Sequence, residues 1–253
     1  MNADENWITK ATNILFATTY KVELEARSRL RLFIPLLGSV FMVRTNILKD
    51  LKFEHDITEN YNLSVRMYLN GYKIVYDSAI DASGECPSRL HRVARQVARW
   101  AEGTTRNFRK YFWKVMRSNK LTMREKAEFM LSGLSYLSAT LLVFAVIGGV
   151  VVTAMIDYVL SQPLTYISVM LATLGLPATM IMQSIAIAKE GEIRRLTWIP
   201  YALILGYLIA PVSAYYALKG LISNNGEFHR TYKTGHLVNR KSAEIRTYLE
   251  YPK

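Results

Sequence analysis

Three stretches of the chain, residues 129–156, 164–188 and 196–218, contain no charged side chain. Each is longer than the ~20 residues that carry a helix across ~30 Å of hydrocarbon at 1.5 Å per residue. A soluble domain of 253 residues has too little polar surface to hide three such helices. Three membrane segments are therefore expected. Charge is segregated to match: residues 89–126 carry twelve Lys or Arg against two acids, Glu102 and Glu125, just before the first apolar run. Cations beside a membrane segment place it against anionic lipid on the cytoplasmic face, which makes lipid or phosphate a better partner for this charge than nucleic acid. The first 27 residues hold several acids and no continuous apolar stretch, so they do not read as a signal peptide. The single cysteine, Cys86, forms no disulfide within the chain.

Before the basic region the pattern is mixed, and an α/β globular part is expected over residues 1–104. Apolar residues fall at helical spacing over residues 6–31, and again over 58–69, where Asn70-Gly71 supplies a left-handed cap. Residues 39–43 and 72–76 read as strands. From Pro87 onward the chain turns helical, with Leu90, Val93, Val97 and Trp100 on one stripe and arginines on the others. Residues 105–127 mix aromatic and basic side chains, as in an amphipathic helix lying in the headgroup plane. A membrane region, 128–222, and a basic cytoplasmic tail, 223–253, complete the expected division.

Four short stretches carry residues suited to chemistry. The first is Gly38-Ser39-Val40-Phe41-Met42-Val43-Arg44, and the second is Thr58-Glu59-Asn60-Tyr61-Asn62-Leu63-Ser64, with Gly71-Tyr72-Lys73-Ile74 following it. The third is Gln96-Val97-Ala98-Arg99-Trp100, and the fourth is Phe228-His229-Arg230-Thr231-Tyr232-Lys233-Thr234-Gly235. Alone, each has a plain structural reading: a turn, a capping-box-like helix start, an amphipathic helical turn, a basic loop. In this order and spacing, with Glu85-Cys86-Pro87-Ser88 ahead of the third, they resemble inverting family 2 glycosyltransferases of the cellulose, hyaluronan, chitin and glucomannan synthase type. The family's pieces are a Gly-containing acceptor strand, a T-E-D helix start, a Q-x-x-R-W helix and a post-membrane R-T-P-K-T-G-like segment.

The resemblance implies a GT-A fold in which Gly38, Ser39 and Trp100 contact the acceptor, and Gln96, Arg99, Arg230 and Lys233 hold the diphosphate. Thr58, Glu59 and Asn60 then stand at the catalytic helix start. The residue types suit these roles. An arginine fork bonds a diphosphate bidentately, and a tryptophan offers a flat apolar face to a pyranose. Asn60 departs from the pattern: the family has its aspartate base there, and an amide accepts no proton at useful pH. Asp56 and Glu59 are the nearby acids.

The resemblance also implies Mg or Mn, with the D-x-D pair and nucleotide-binding apparatus in a preceding region outside this chain, so a separate amino-terminal half polypeptide is an expected partner. The reading that follows is a multi-pass membrane glycosyltransferase, cytoplasmic in its catalytic part, in a prokaryotic plasma membrane. It transfers a hexose from a nucleotide sugar to a polysaccharide or lipid-linked acceptor. A non-catalytic subunit that binds glycan or lipid phosphate is the alternative, favoured by Asn60. One conflict stands within this reading. Three full crossings starting from a cytoplasmic basic region put residues 228–235 outside, whereas their charge and the resemblance want them inside.

Overall fold

The computed structural model describes residues 2–38, 40–80, 82, 84–141, 143, 144, 148 and 163–223, side chains of 163–175 excepted. Ser39, Arg230 and Lys233 lie outside the described residues. Helix α1 (Trp7–Thr18) starts where Asn6 Oδ1 accepts hydrogen bonds from the amides of Ile8 and Thr9 while Thr9 Oγ1 accepts from the Asn6 amide. This reciprocal capping satisfies amides that a helix end otherwise leaves open. Asn6 Nδ2 also donates to the Ser88 carbonyl, and Asn2 exchanges bonds with the Cys86 main chain. The N-terminus is thereby tied to the approach of the long basic helix. A π-helical turn (Thr19–Glu23) leads into α2 (Leu24–Arg29).

The expected strands do not form, and no strand is present among the described residues. The extended stretches run singly over helix surfaces, and side chains replace the ladder that a neighbouring strand would supply. The Ile34 amide donates to the Tyr68 hydroxyl, which donates onward to the Leu32 carbonyl, and the Leu36 amide donates to Ser64 Oγ. Ser28 Oγ both accepts from the Tyr76 amide and donates to its carbonyl. Val40, Phe41, Met42 and Val43 pack no ladder either, and Met42 is 90% exposed. The α/β expectation is thus met only in its helical part.

Helices α3 (Thr45–Leu51) and α4 (Glu59–Leu69) precede the dominant element, α5 (Leu90–Arg117), a single helix of 28 residues. The boundary expected at residue 105 falls inside it. Every residue of 101–108 is buried, so the first turn expected in the headgroup plane lies in the interior. The later turn keeps exposed Lys110, Trp113, Lys114 and Arg117. Helix α6 (Met123–Leu134) has a second capping box, Thr122 with Glu125, and Lys73 pairs with Glu125 at 2.6 Å. Phe33, Tyr61, Val65, Tyr68, Phe108, Tyr111, Val115, Leu121 and Phe129 form the main core. Phe129, the first residue of the first uncharged run, is therefore held by Phe33 and Phe108 rather than by lipid.

Helix α7 (Pro163–Glu190) returns to α1, a 3-10 turn (Ile193–Trp198) follows, and α8 (Ile199–Ile222) closes the described chain. Residues 193–222 form the one helix among the described residues that is long and apolar enough to cross a membrane. One end of α8 shares a cluster with Ala11, Ile14, Val93 and Ile187. Near its other end a Cβ at Gly220 would lie 2.5 Å from the Glu102 carbonyl oxygen. Because that neighbour is helix backbone and cannot yield, Gly220→Ala is expected to push α8 off α5 and destabilise the fold by about 1–3 kcal/mol. Thermal unfolding of the detergent-solubilised chain measures it, and an unchanged transition would show that the two helices are not in close contact.

Cys86 lies in the same tied-down region and is 6% exposed. Burial pushes its thiol above the usual cysteine value. Since the thiolate is the reactive form, alkylation at pH 8 should be slow in the folded chain and should rise at least tenfold on denaturation. Equal rates in both states would contradict this placement.

Candidate active site

The start of α4 is built by a buried amide on α5. Thr58 stands at the N-cap position but its side chain caps nothing, so the capping box expected there is absent. Its amide donates to Asp56 Oδ1 at 2.8 Å, and its hydroxyl lies 3.3 Å from the same oxygen. Asn107 Nδ2 lies 3.0 Å from Asp56 Oδ1, 3.1 Å from Thr58 Oγ1 and 3.0 Å from the Gly103 carbonyl. Its Oδ1 accepts from Asn62 Nδ2 at 3.0 Å. Arg106 approaches Asp56 to 3.7 Å, with both side chains 9% exposed. Close approach requires glycine at 103, where a Cβ would sit 2.4 Å from Thr58 Cγ2.

A second glycine closes the other side. Gly38 has φ +77° and faces Asn60, whose Nδ2 would be 2.3 Å from a Cβ at that position. The left-handed backbone favours glycine, and a Cβ here would also displace the Asn60 side chain. Asn60 Nδ2 donates to Glu59 Oε1 at 3.2 Å, and Glu59 Oε2 is buried without a hydrogen-bond partner. Arg99 is half-buried nearby. Burial lowers its pKa from the ordinary guanidinium value, and the Glu59 carboxylate opposes that shift.

Gly38, Thr58, Glu59, Asn60 and Arg99 therefore come together. Trp100 is the next residue on the helix and turns toward another neighbour, Phe16 of α1, with ring centroids 6.4 Å apart. Gln96 is half-buried one turn earlier. Gly103, Arg106, Asn107 and Asn62 were absent from the sequence-derived set. For the three on α5 the signal is spacing: Gln96, Arg99 and Gly103 follow at steps of three and four, and Arg106 and Asn107 lie three and four residues beyond Gly103.

Over residues 1–211 the sequence matches the family described as "Glycosyl transferase family group 2". The chain belongs to that family. Similar curated proteins include probable glucomannan 4-beta-mannosyltransferase 7 of Oryza sativa subsp. japonica, 27% identical over 232 residues, which are 89% of this chain and 38% of that protein. Probable glucomannan 4-beta-mannosyltransferase 6 of the same organism is 29% identical over 128 residues, 50% of this chain and 22% of that protein. Glucomannan 4-beta-mannosyltransferase 9 of Arabidopsis thaliana is 27% identical over 134 residues, 52% and 25%. The chain thus spans well under half the length of each. No solved structure matches it. These relatives are plant proteins and lend no support to a prokaryotic source.

The family's metal has no cradle among the described residues, which contain no cluster of three or more His, Cys, Asp or Glu able to hold an ion. What the described side chains can do is limited and specific. Asp56 is already committed to Thr58, Asn107 and Arg106. Glu59 retains an oxygen with no hydrogen-bond partner and has a cation beside it.

Proposed function

We propose that this chain is the acceptor-side part of a membrane-bound glycosyltransferase that moves a hexose from a nucleotide sugar to a glycan or lipid-linked acceptor. The hexose is a mannose if the chain follows its curated relatives. The observation that carries the reading is the approach of three separate segments: Gly38 packs against Asn60, and the neighbouring Glu59, with one buried carboxylate oxygen, acts electrostatically on Arg99.

In this reading Arg99 steadies the departing diphosphate, whose charge grows as the sugar bond breaks. Trp100, whose ring lies tilted beside Phe16 on the neighbouring face of α5, offers the acceptor ring the rest of its flat surface. Gln96, with Arg230 and Lys233 from the tail, adds phosphate contacts, and Ser39 with Gly38 borders the acceptor. The deprotonation of the acceptor hydroxyl falls to the 58–60 corner, where Asn60 contributes no basicity and Glu59 is the remaining acceptor of a proton. The uncharged runs 129–156 and 164–188 hold the protein in the bilayer, while a nucleotide-binding half and its Mg or Mn come from outside this chain. Asn60 keeps a second reading alive, a subunit that binds glycan without turning it over.

The test is transfer of labelled hexose from several nucleotide donors by membranes containing this chain together with the nucleotide-binding half of a relative. Product that depends on Arg99, lost in Arg99→Ala and not regained in Arg99→Lys, supports the enzyme. Tight glycan binding without any transfer supports the subunit.

A further inference from the structure

We infer that Glu125 and Glu128, one turn apart on α6, are positioning residues for sugar transfer: each holds a cation that fixes one end of α4, and α4 carries Glu59 and Asn60 at its start. The inference rests on the sugar-transfer reading, and its two acids and two cations lie outside the candidate site.

Glu128 is the last charged residue before the uncharged run 129–156, and Glu125 precedes it by three positions. Acids at that spacing share a helix face and destabilise one another unless each is answered by a cation. Both are answered from the part of the chain that builds the site. Glu125 is 4% exposed, and Lys73 Nζ donates to its Oε1 at 2.6 Å and its Oε2 at 2.7 Å. Arg27 Nε lies 2.9 Å from Glu128 Oε1, with both side chains largely buried.

Lys73 acts on the far end of α4. Its Nζ also donates to the Lys120 carbonyl and sits 5.3 Å over the ring of Tyr68, in the last turn of that helix. The Tyr72 amide donates to the Met67 carbonyl, so the segment that carries Lys73 is folded back onto the same turn. Gly71, at φ +86°, makes the reversal. The stretch Gly71-Tyr72-Lys73-Ile74, which has no part in the candidate site, thereby gains a role.

Arg27 acts near the start of α4. It stands on α2 between two acids, Glu23 at 2.5 Å and Glu128. Tyr61, the neighbour of Asn60, is buried within the field of this group: burial pushes its phenol up to about 12, while the Arg27 charge lowers it and the Glu128 charge raises it. Phe33 then bridges the two helices, its ring centroid 6.0 Å from that of Tyr61 and 5.6 Å from that of Phe129, the residue after Glu128. Helix α6 therefore meets α4 at two places, one at Tyr68 and one at Tyr61. Apolar burial has no direction of its own, and by itself would let α4 slide or turn against α6. Charge-assisted hydrogen bonds at both ends fix its axis and its rotation, because a displaced partner leaves a buried charge unanswered.

The test uses the full chain with the nucleotide-binding half of a relative, as the parent and in an Asn60→Asp background. Glu125→Gln removes the charge and keeps a side chain that can close the capping box, and Glu128→Gln, Arg27→Gln and Lys73→Met neutralise the other partners. Per folded molecule, each should lower kcat by about tenfold to a hundredfold with the donor KM within about twofold of the parent, the effect of a misplacement near 1 Å. Arg27→Gln combined with Glu128→Gln should lose no more than the worse single variant. Lys73→Arg, which can still bond the carboxylate, should retain activity. Hydrogen exchange on the same proteins, read by mass spectrometry, should quicken over α4, 59–69, and stay unchanged over α1, 7–18. Unchanged kcat in the neutralised variants, equal losses in Lys73→Arg and Lys73→Met, or exchange that quickens throughout the chain would each overturn the inference. If neither the parent nor Asn60→Asp transfers sugar, the sugar-transfer reading fails and exchange decides alone: quickening confined to 59–69 supports the two-point hold, and any other pattern overturns it.

Discussion

Asn60→Asp is expected to raise hexose transfer by the reconstituted pair by about a hundredfold to ten-thousandfold, the usual worth of a positioned general base. The substitution keeps the side-chain volume, so it fits against Gly38, where an added Cβ would already come within 2.3 Å of Asn60 Nδ2. What changes is charge. The amide now donates to Glu59 Oε1 at 3.2 Å, and the variant would set two carboxylates at that separation. Like charges so close hold a proton more readily, which moves the pair toward the pH at which a base works best. The stability effect has a definite sign. A carboxyl whose pKa is raised in the folded state destabilises it at neutral pH, and that penalty is relieved as pH falls through the raised value. The variant should therefore be about 1–2 kcal/mol less stable than the parent at pH 7 and should approach it below pH 5. Transfer assays and unfolding at both pH values read the two effects. Full activity with Asn60 in place would assign the base to Glu59, and two folded but inactive proteins would favour the binding-only reading.

The sequence made some of this arrangement legible for physical reasons. Gly38 and Gly103 stand where side chains of the 58–60 corner press against backbone, although only the first was marked out, because it punctuates an apolar run. Arg99 was marked by its place in Gln96-Val97-Ala98-Arg99-Trp100, while the parting of Arg99 from Trp100 toward Glu59 and Phe16 needed coordinates. Asn107 was hidden among arginines and aromatics that read as a solvated, lipid-facing surface. Nothing in a basic stretch says that residues 101–108 are enclosed by α4, α6 and α8. The expected strands failed for a related reason. Alternating apolar residues at 72–76 fit any extended chain, and whether that chain pairs depends on a neighbour the local pattern does not encode.

Asn107 is also the residue whose loss should cost the most stability. Its side chain is fully buried and bonds Asp56, Thr58, Gly103 and Asn62. In Asn107→Ala, Asp56, Thr58 and Gly103 keep their places but lose a common donor, Asn62 loses an acceptor, and each buried polar group left unpaired costs about 1–3 kcal/mol. Arg106 remains beside Asp56 and limits the damage there. The net expectation is a loss of about 2–4 kcal/mol, seen in thermal unfolding, together with faster hydrogen exchange of the amides at 58–62. Asn107→Asp separates this account from a simple cavity. It preserves volume and still accepts from Asn62, but it replaces the amide that reaches Asp56 at 3.0 Å with a second carboxylate. If hydrogen bonding holds the corner, Asn107→Asp should be nearly as destabilised as the alanine variant at pH 7 and should recover on acidification, because a protonated carboxyl can donate again. If volume alone mattered, Asn107→Asp would match the parent at every pH.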